Sequence, residues 1–198
     1  MKLIFSTKNE GKIKEVMPLL ADLKLEILSA QEAGYDKPII EEGSSFEENA
    51  YQKAMPVAQE LGELTFAEDA GFCIESLNGA PGIYSARWAG VDATDEEIVK
   101  HTLSQVGDMS LETKRAWFEC AVCLTSEDGE YWTFTGKVNG IVAKKPRGQN
   151  RPGLPYDVIF IPEGFSKTYA EMTDEEKNKI SHRKIAYDKL KKFLKKNL

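Results

Sequence analysis

Residues 1–28, MKLIFSTKNEGKIKEVMPLLADLKLEIL, decide the fold class. Leu3, Ile4 and Phe5 form an apolar run that reads as a short buried strand. The run stops at Ser6-Thr7-Lys8-Asn9, after which Ile13, Val16, Met17 and Leu20 recur at helical spacing. Residues 25–28 read as a second strand. Strand, polar loop, helix and strand make a β-α-β unit, which favours an α/β sheet.

Working outward, residues 46–61 predict a helix with Ser44 or Ser45 as N-cap and acids in its first turn. Pro56 inside it predicts a kink or a lost hydrogen bond. Residues 65–74 read as an extended segment carrying Glu68 and Asp69, turned at Gly71. A Gly- and Pro-bearing loop follows at residues 78–82. Residues 94–106 predict another helix, with Thr94 and Glu97 as a capping box. Residues 115–125 and 131–142 are rich in aromatic and β-branched side chains and flank Glu127-Asp128-Gly129, a hairpin signal. Residues 144–155 are basic, Gly- and Pro-rich loop, and residues 156–161 read as a last strand. Residues 173–198 predict the final helix, opened by a Thr173/Glu176 capping box, with Ile180, Ile185, Leu190, Phe193 and Leu194 as its apolar stripe. A β-α-β opening followed by a hairpin predicts a mixed sheet flanked by helices, in one domain over residues 1–198.

The chain has 198 residues, 41% hydrophobic and 29% charged, enough for a substantial core. A formal net charge of -6 argues against general nucleic-acid binding, which needs a surplus of Lys and Arg. It leaves room for a small anion in a local basic pocket. Cys120 and Cys123 have C-x-x-C spacing, but WFECAVCL reads as a strand, so an odd separation sends the two side chains to opposite faces. Buried free thiols in a reducing compartment are expected. The N-terminus offers three consecutive apolar residues, neither a signal peptide nor a membrane span, and a cytoplasmic location is expected.

Three segments can carry chemistry. Thr7, Lys8, Asn9, Glu10, Gly11 and Lys12 link a strand to a helix, where free N–H groups favour an anion; an ordinary capped helix start suits them equally. The G-x-x-x-x-G-K-[ST] pattern of a P-loop is absent. Among the acids, Glu47 and Glu48 suit a first helical turn, whereas Asp69 ends an apolar stretch where an ionised group has little structural reason to sit. Carboxylates from separate loops, with lysines present, suit a magnesium–triphosphate complex, since Mg2+ takes few protein carboxylates and keeps its waters. A metal can acidify water and a second carboxylate can take its proton. Lys177, Ser181, His182 and Arg183 form the third set, able to read a base or phosphate, or simply to be packed and solvated. Two histidines and dispersed cysteines offer no zinc set.

In order along the chain, STKNEGKIKE, EEGSSFEENAYQKA, AEDAGFCIESLNGAPGIYSARWAG and TYAEMTDEEKNKISHRKIA resemble the inosine/xanthosine triphosphate pyrophosphatases, enzymes that clear non-canonical purine nucleotides. The resemblance implies that Thr7 to Lys12 bind triphosphate, that Glu41 and Asp69 bind Mg2+, and that Asp69 is also the proton acceptor. It puts Glu68 at the neighbouring acidic position of the metal set. It implies that Asn49 and Lys53 line the cleft, and that Lys177, His182 and Arg183 close over the nucleotide. The implied reaction is attack of water on the α-phosphorus, giving nucleoside monophosphate and pyrophosphate. The implied fold is a long mixed sheet in two lobes with a substrate cleft between them, usually in a homodimer, with neither nucleic acid nor membrane as partner.

Two departures stand out. Ala70 replaces the usual Ser after Asp69, keeping the N–H but losing a hydroxyl. Gly153-Leu154-Pro155-Tyr156-Asp157-Val158 stands where the family reads G-F-G-Y-D-P, in the implied base pocket. Leu154 lacks a stacking ring and Pro155 lacks an N–H. Intact phosphate chemistry with altered base preference or affinity is the expectation. The competing readings are a pyrophosphatase for modified pyrimidine nucleotides, a nucleotide-binding protein without turnover, and a redox protein built on Cys120 and Cys123.

Overall fold

Leu3, Ile4 and Phe5 are fully buried in β1 (Lys2–Phe5), in a computed structural model that describes residues 2–107 and 114–197. Burial on both faces is what a parallel strand between two neighbours requires. β1 pairs in parallel with β2 (Glu26–Ser29), Leu3 opposite Ile27, and with β3 (Thr65–Ile74), Ile4 opposite Thr65. The connection from β1 to β2 is α1 (Glu10–Leu20), so the β-α-β reading holds. α2 (Phe46–Leu61) leads into β3; Ser45 caps it, Gly62 ends it in the left-handed region (φ 65°), and the helix runs on through Pro56.

β3 does not turn at Gly71. It continues to Ile74 because Phe72, Cys73 and Ile74 are as buried as the residues before the glycine, and extension keeps them so. After α3 (Asp95–Val106), with its Thr94/Glu97 capping box, β4 (Arg115–Thr125) and β5 (Tyr131–Val142) form the expected hairpin. Its turn is closed by Ser126 N–H to Glu130 O at 2.9 Å, with Gly129 at φ 87°. The last strand, β6 (Phe160–Pro162), is shorter and later than expected, because Pro155–Val158 wind into a 3-10 turn instead. β6 runs antiparallel to β5, Ile141 opposite Ile161. The sheet is therefore mixed, with order β2-β1-β3-β4-β5-β6.

The expected final helix is two helices. α4 (Asp174–Ile180) keeps the Thr173/Glu176 capping box, Ser181 is extended (φ -70°, ψ 154°), and α5 (His182–Asn197) starts afresh. A continuous periodic stripe hid this break, which the small, buried Ser181 accommodates; Leu198 lies outside the described residues. Two compact units result: residues 1–69, 120–136 and 183–198 form one, and residues 70–119 and 137–182 the other. In the first, Ile4, Ala30, Tyr35 and Val57 pack together and Phe5 stacks on Phe66 at 4.5 Å. In the second, Phe72, Phe118, Tyr156, Phe160 and Tyr169 build an aromatic core. The three cysteines are free and buried. Cys120 Sγ approaches Glu68 and Cys123 Sγ approaches Thr125, so the C-x-x-C pair points two ways as strand alternation requires. Among the described residues no helix is long and apolar enough to cross a membrane.

Candidate active site

The strand β3 carries Glu68 and Asp69 side by side, and alternation along the strand sends them to opposite faces of the sheet. Asp69 meets α2. Asn49 and Lys53 are four apart on that helix, hence on one face, and both are buried. Lys53 Nζ donates to Asp69 Oδ1 and to Glu41 Oε2, both at 2.8 Å, and Asn49 Nδ2 donates to Asp69 Oδ2 at 3.1 Å.

The strap before α2 is pinned so that Glu41 reaches this point. Glu42 N–H donates to Gln52 Oε1 (2.8 Å), Gly43 N–H to Asn49 Oδ1 (2.9 Å) and Ser44 N–H to Glu48 Oε2 (2.7 Å). A Cβ on Gly43 would lie 2.7 Å from Glu48 Cβ and 2.9 Å from Asn49 N, so only glycine fits there. Because Asn49 Oδ1 is taken by Gly43, its amide is oriented with Nδ2 toward Asp69. Two carboxylates share one ammonium, and the cluster keeps an excess of negative charge. Burial alone would lower the Lys53 ammonium, but the Asp69 and Glu41 charges more than offset this and hold it above the ordinary lysine range.

On the other face Glu68 is enclosed, its side chain 0% exposed. Arg183 Nε donates to its two oxygens at 3.0 and 3.3 Å, Lys12 Nζ lies 3.4 Å away, and Arg183 Nη1 donates to Glu15 at 2.6 Å. Burial would raise the Glu68 carboxyl, yet the Arg183 and Lys12 charges prevail and hold it at about 2. Tyr187, fully buried beside Glu68, is pushed well above the usual phenol range by burial and by that charge. At the start of α1, Thr7 Oγ1 accepts from Asn9 N–H (3.2 Å) and Asn9 Oδ1 from Lys12 N–H (3.1 Å), so the helix start is capped by its own loop. Lys8 and Glu10 are exposed, and Lys12 alone of the loop reaches the buried acids.

In the second unit, Asp157 and Lys177 are a buried ion pair at 2.5 Å. Arg151 adds a contact of 3.4 Å to Asp157 while donating to the carbonyls of Tyr169 and Met172 (2.9 and 2.7 Å). The ring of Tyr156 stacks on Phe72 at 4.8 Å, and its hydroxyl donates to Ser85 O at 2.7 Å. His182 lies flat on Phe118, centroids 4.7 Å apart and 6° between planes. Pro155 is buried, opening the 3-10 turn just after Leu154.

The Ham1 family pattern matches residues 3–193. This chain belongs to the Ham1 family. A dITP/XTP pyrophosphatase of Bacillus subtilis is 41% identical over 191 residues, 96% of each chain. One of Clostridium perfringens is 39% identical over 200 residues, 98% of this chain and 97% of its own. Among solved structures, the Ham1 protein of Staphylococcus aureus superposes with a TM-score of 0.88 at 34% identity, covering all of both chains. A HAM1 protein of Coxiella burnetii gives 0.88 at 35% identity over 99% of each.

In this Ham1-family chain the residues singled out from sequence fall into three groups. Glu41, Asn49, Lys53 and Asp69 meet on one face of β3; Lys12, Glu68 and Arg183 meet on the other; Asp157 meets Lys177 in the second unit. Ala70, next after Asp69, is half-buried. Tyr156 is spent on core packing rather than on a pocket wall. Sequence reasoning passed over Glu15, Tyr187 and Arg151. The signal was present for the first two: Glu15 is three residues from Lys12 on α1 and Tyr187 four from Arg183 on α5, each sharing a helix face with a residue already chosen. For Arg151, in a loop without period, no local signal existed.

Proposed function

We propose that this chain hydrolyses non-canonical purine nucleoside triphosphates such as dITP, ITP and XTP, releasing nucleoside monophosphate and pyrophosphate. The carrying observation is Asp69, a buried carboxylate held by Asn49 and Lys53 beside Glu41 with negative charge in excess. The 41% identity to a dITP/XTP pyrophosphatase over 96% of both chains supports the substrate class.

The donor set fits magnesium: two carboxylates from different segments converge within 2.8 Å of one ammonium, and Mg2+ is commonly held by one or two carboxylates plus substrate phosphates. Glu41 and Asp69 would hold it, while Glu68 faces away and pairs with Lys12 and Arg183. When bound, the metal supplies charge neutralisation at the phosphates and a more acidic water. Asp69, fixed in direction by Asn49, takes the proton of the water that attacks the α-phosphorus. The bond from that phosphorus to the bridging oxygen breaks, and Lys53 and Lys12 offset charge on the leaving pyrophosphate. Asp157 and Lys177, with His182, are the groups offered to the base. Leu154 and Pro155 remove a ring and an N–H from that region, so base preference departs from the family's usual one.

The test is pyrophosphate release from ITP, XTP, dITP and the four standard triphosphates with Mg2+, for wild type and Asp69→Asn. A loss of at least about 100-fold in kcat is expected for the variant, the scale of a lost proton acceptor. Release unchanged by Asp69→Asn would sink the assignment, and equal turnover of ATP and ITP would sink purine selectivity alone. The same reading makes the chain a cytoplasmic homodimer, and sedimentation at the monomer mass would remove the dimer from it.

A further inference from the structure

We propose that Glu68 is a positioning residue for triphosphate binding, an internal counter-ion that, with Glu15, sets the Lys12 ammonium and the Arg183 guanidinium in place before substrate arrives. This rests on the hydrolase reading above. Lys12 comes from α1 and Arg183 from α5, and two cations brought to one place repel unless an anion lies between them. Glu68, rising from β3, is that anion. Arg183 is held on two edges, by Glu68 through Nε (3.0 Å) and by Glu15 through Nη1 (2.6 Å). Lys12 is held differently. Its 3.4 Å separation from Glu68 is longer than a good charge-assisted hydrogen bond, and at 15% its side chain is the most exposed of the four.

The consequence is a division of labour. Arg183 is locked, and turning it would break two close contacts inside the protein. Lys12 is aimed but not consumed, so it can move onto a phosphate oxygen without losing a short hydrogen bond. The cluster is also balanced, two carboxylates against two cations, so unlike the Asp69 cluster it has no surplus charge with which to draw a metal. Its ionic groups are arranged for an anion that displaces Glu68 as the partner of Lys12.

The test is steady-state pyrophosphate release from ITP by Glu68→Gln, which keeps the shape and removes the charge. Arg183 retains Glu15, whereas Lys12 loses its counter-ion. KM is expected to rise about tenfold with kcat within about twofold, the scale of one displaced charged contact. Lys12→Gln should raise KM similarly, and the double variant no further than Lys12→Gln alone, because both act through one ammonium. Glu68→Asp, which keeps the charge, should recover most of the affinity. A folded Glu68→Gln with wild-type KM, or effects that multiply in the double variant, overturns the proposal while the hydrolase reading stands. If Glu68→Gln does not fold, Glu15→Gln frees one edge of Arg183 near the surface, and an unchanged KM there overturns it equally. A wild type that releases no pyrophosphate from any triphosphate overturns both.

Discussion

Replacing Lys53 by Met tests the electrostatics of the Asp69 cluster directly. The thioether side chain keeps most of the aliphatic packing of Lys53, which is 8% exposed, and deletes only the ammonium that both carboxylates share. Removing one partner of a buried ion pair costs about 3–5 kcal/mol, because the remaining charge stays desolvated. Here the cost is discounted, since the Glu41 side chain is 40% exposed and water screens its share. The unscreened part is Asp69, left with Asn49 as its donor, so about 2–3 kcal/mol is expected. For a chain of this size that lowers Tm by roughly 4–12 °C. The assay is thermal unfolding followed by circular dichroism, in chelator and then in increasing MgCl2. Magnesium should restore stability to the variant by more than it adds to wild type, because a cation takes the place between Glu41 and Asp69 that the ammonium left. An unchanged Tm in Lys53→Met would refute the claim that the ammonium compensates buried charge. A lowered Tm that magnesium leaves untouched would refute Glu41 and Asp69 as the metal pair.

Two further outcomes follow from the same geometry. Burial pushes the Cys73 thiol up to about 12 and raises Cys120 and Cys123 as well, so an aromatic disulfide reagent at mildly alkaline pH should label none of the three in the native chain and all three after unfolding; rapid native labelling would revive a redox role for the C-x-x-C pair. Lys195 and Lys191 on α5 hold the exposed Asp22 carboxyl at about 2, below its ordinary 3.8, so its contribution to stability is present above the ordinary value and lost as pH falls through the folded one. The stability gap between wild type and Asp22→Asn should be constant above about pH 5 and close toward pH 2, and a gap that widens on acidification would reverse the sign of the argument.

How much of this was legible in the chain depends on how local each determinant is. α2 begins at Phe46 and ends at Leu61 where the serine cap and Gly62 say it should, and the β4–β5 hairpin has the expected bounds, because caps, alternation and turn residues act within a few positions. Gly71 misled because glycine permits a turn without requiring one, and the burial of Phe72 to Ile74 decided for extension. Ser181 was passed over because an apolar stripe from Ile180 to Leu194 reads as one helix, although α4 and α5 serve different cores. The same holds for the site. Asp69, Glu41, Asn49 and Lys53 stood out by type and by motif. The role of Glu68 could not be read beside Asp69, since what it does is fixed by Arg183, more than a hundred positions away along the chain.

Adjacent acids on one strand thus have opposite assignments for a reason that lies in the pleat rather than in the acids themselves. One face of β3 offers α2, which brings a single ammonium to two carboxylates and leaves charge to attract a cation. The other face offers α1 and α5, which bring two cations to two carboxylates and leave charge balanced but repartnerable. A triphosphate with its magnesium needs both kinds of surface at once, a cation site and a set of cations already aimed at an anion. A strand whose consecutive residues alternate faces supplies the two from a single dipeptide. Moving either acid by one position would place two carboxylates on the same face and leave the cations of the other without a counter-ion, so the order Glu68-Asp69 with one acid on each face is itself a requirement of the chemistry.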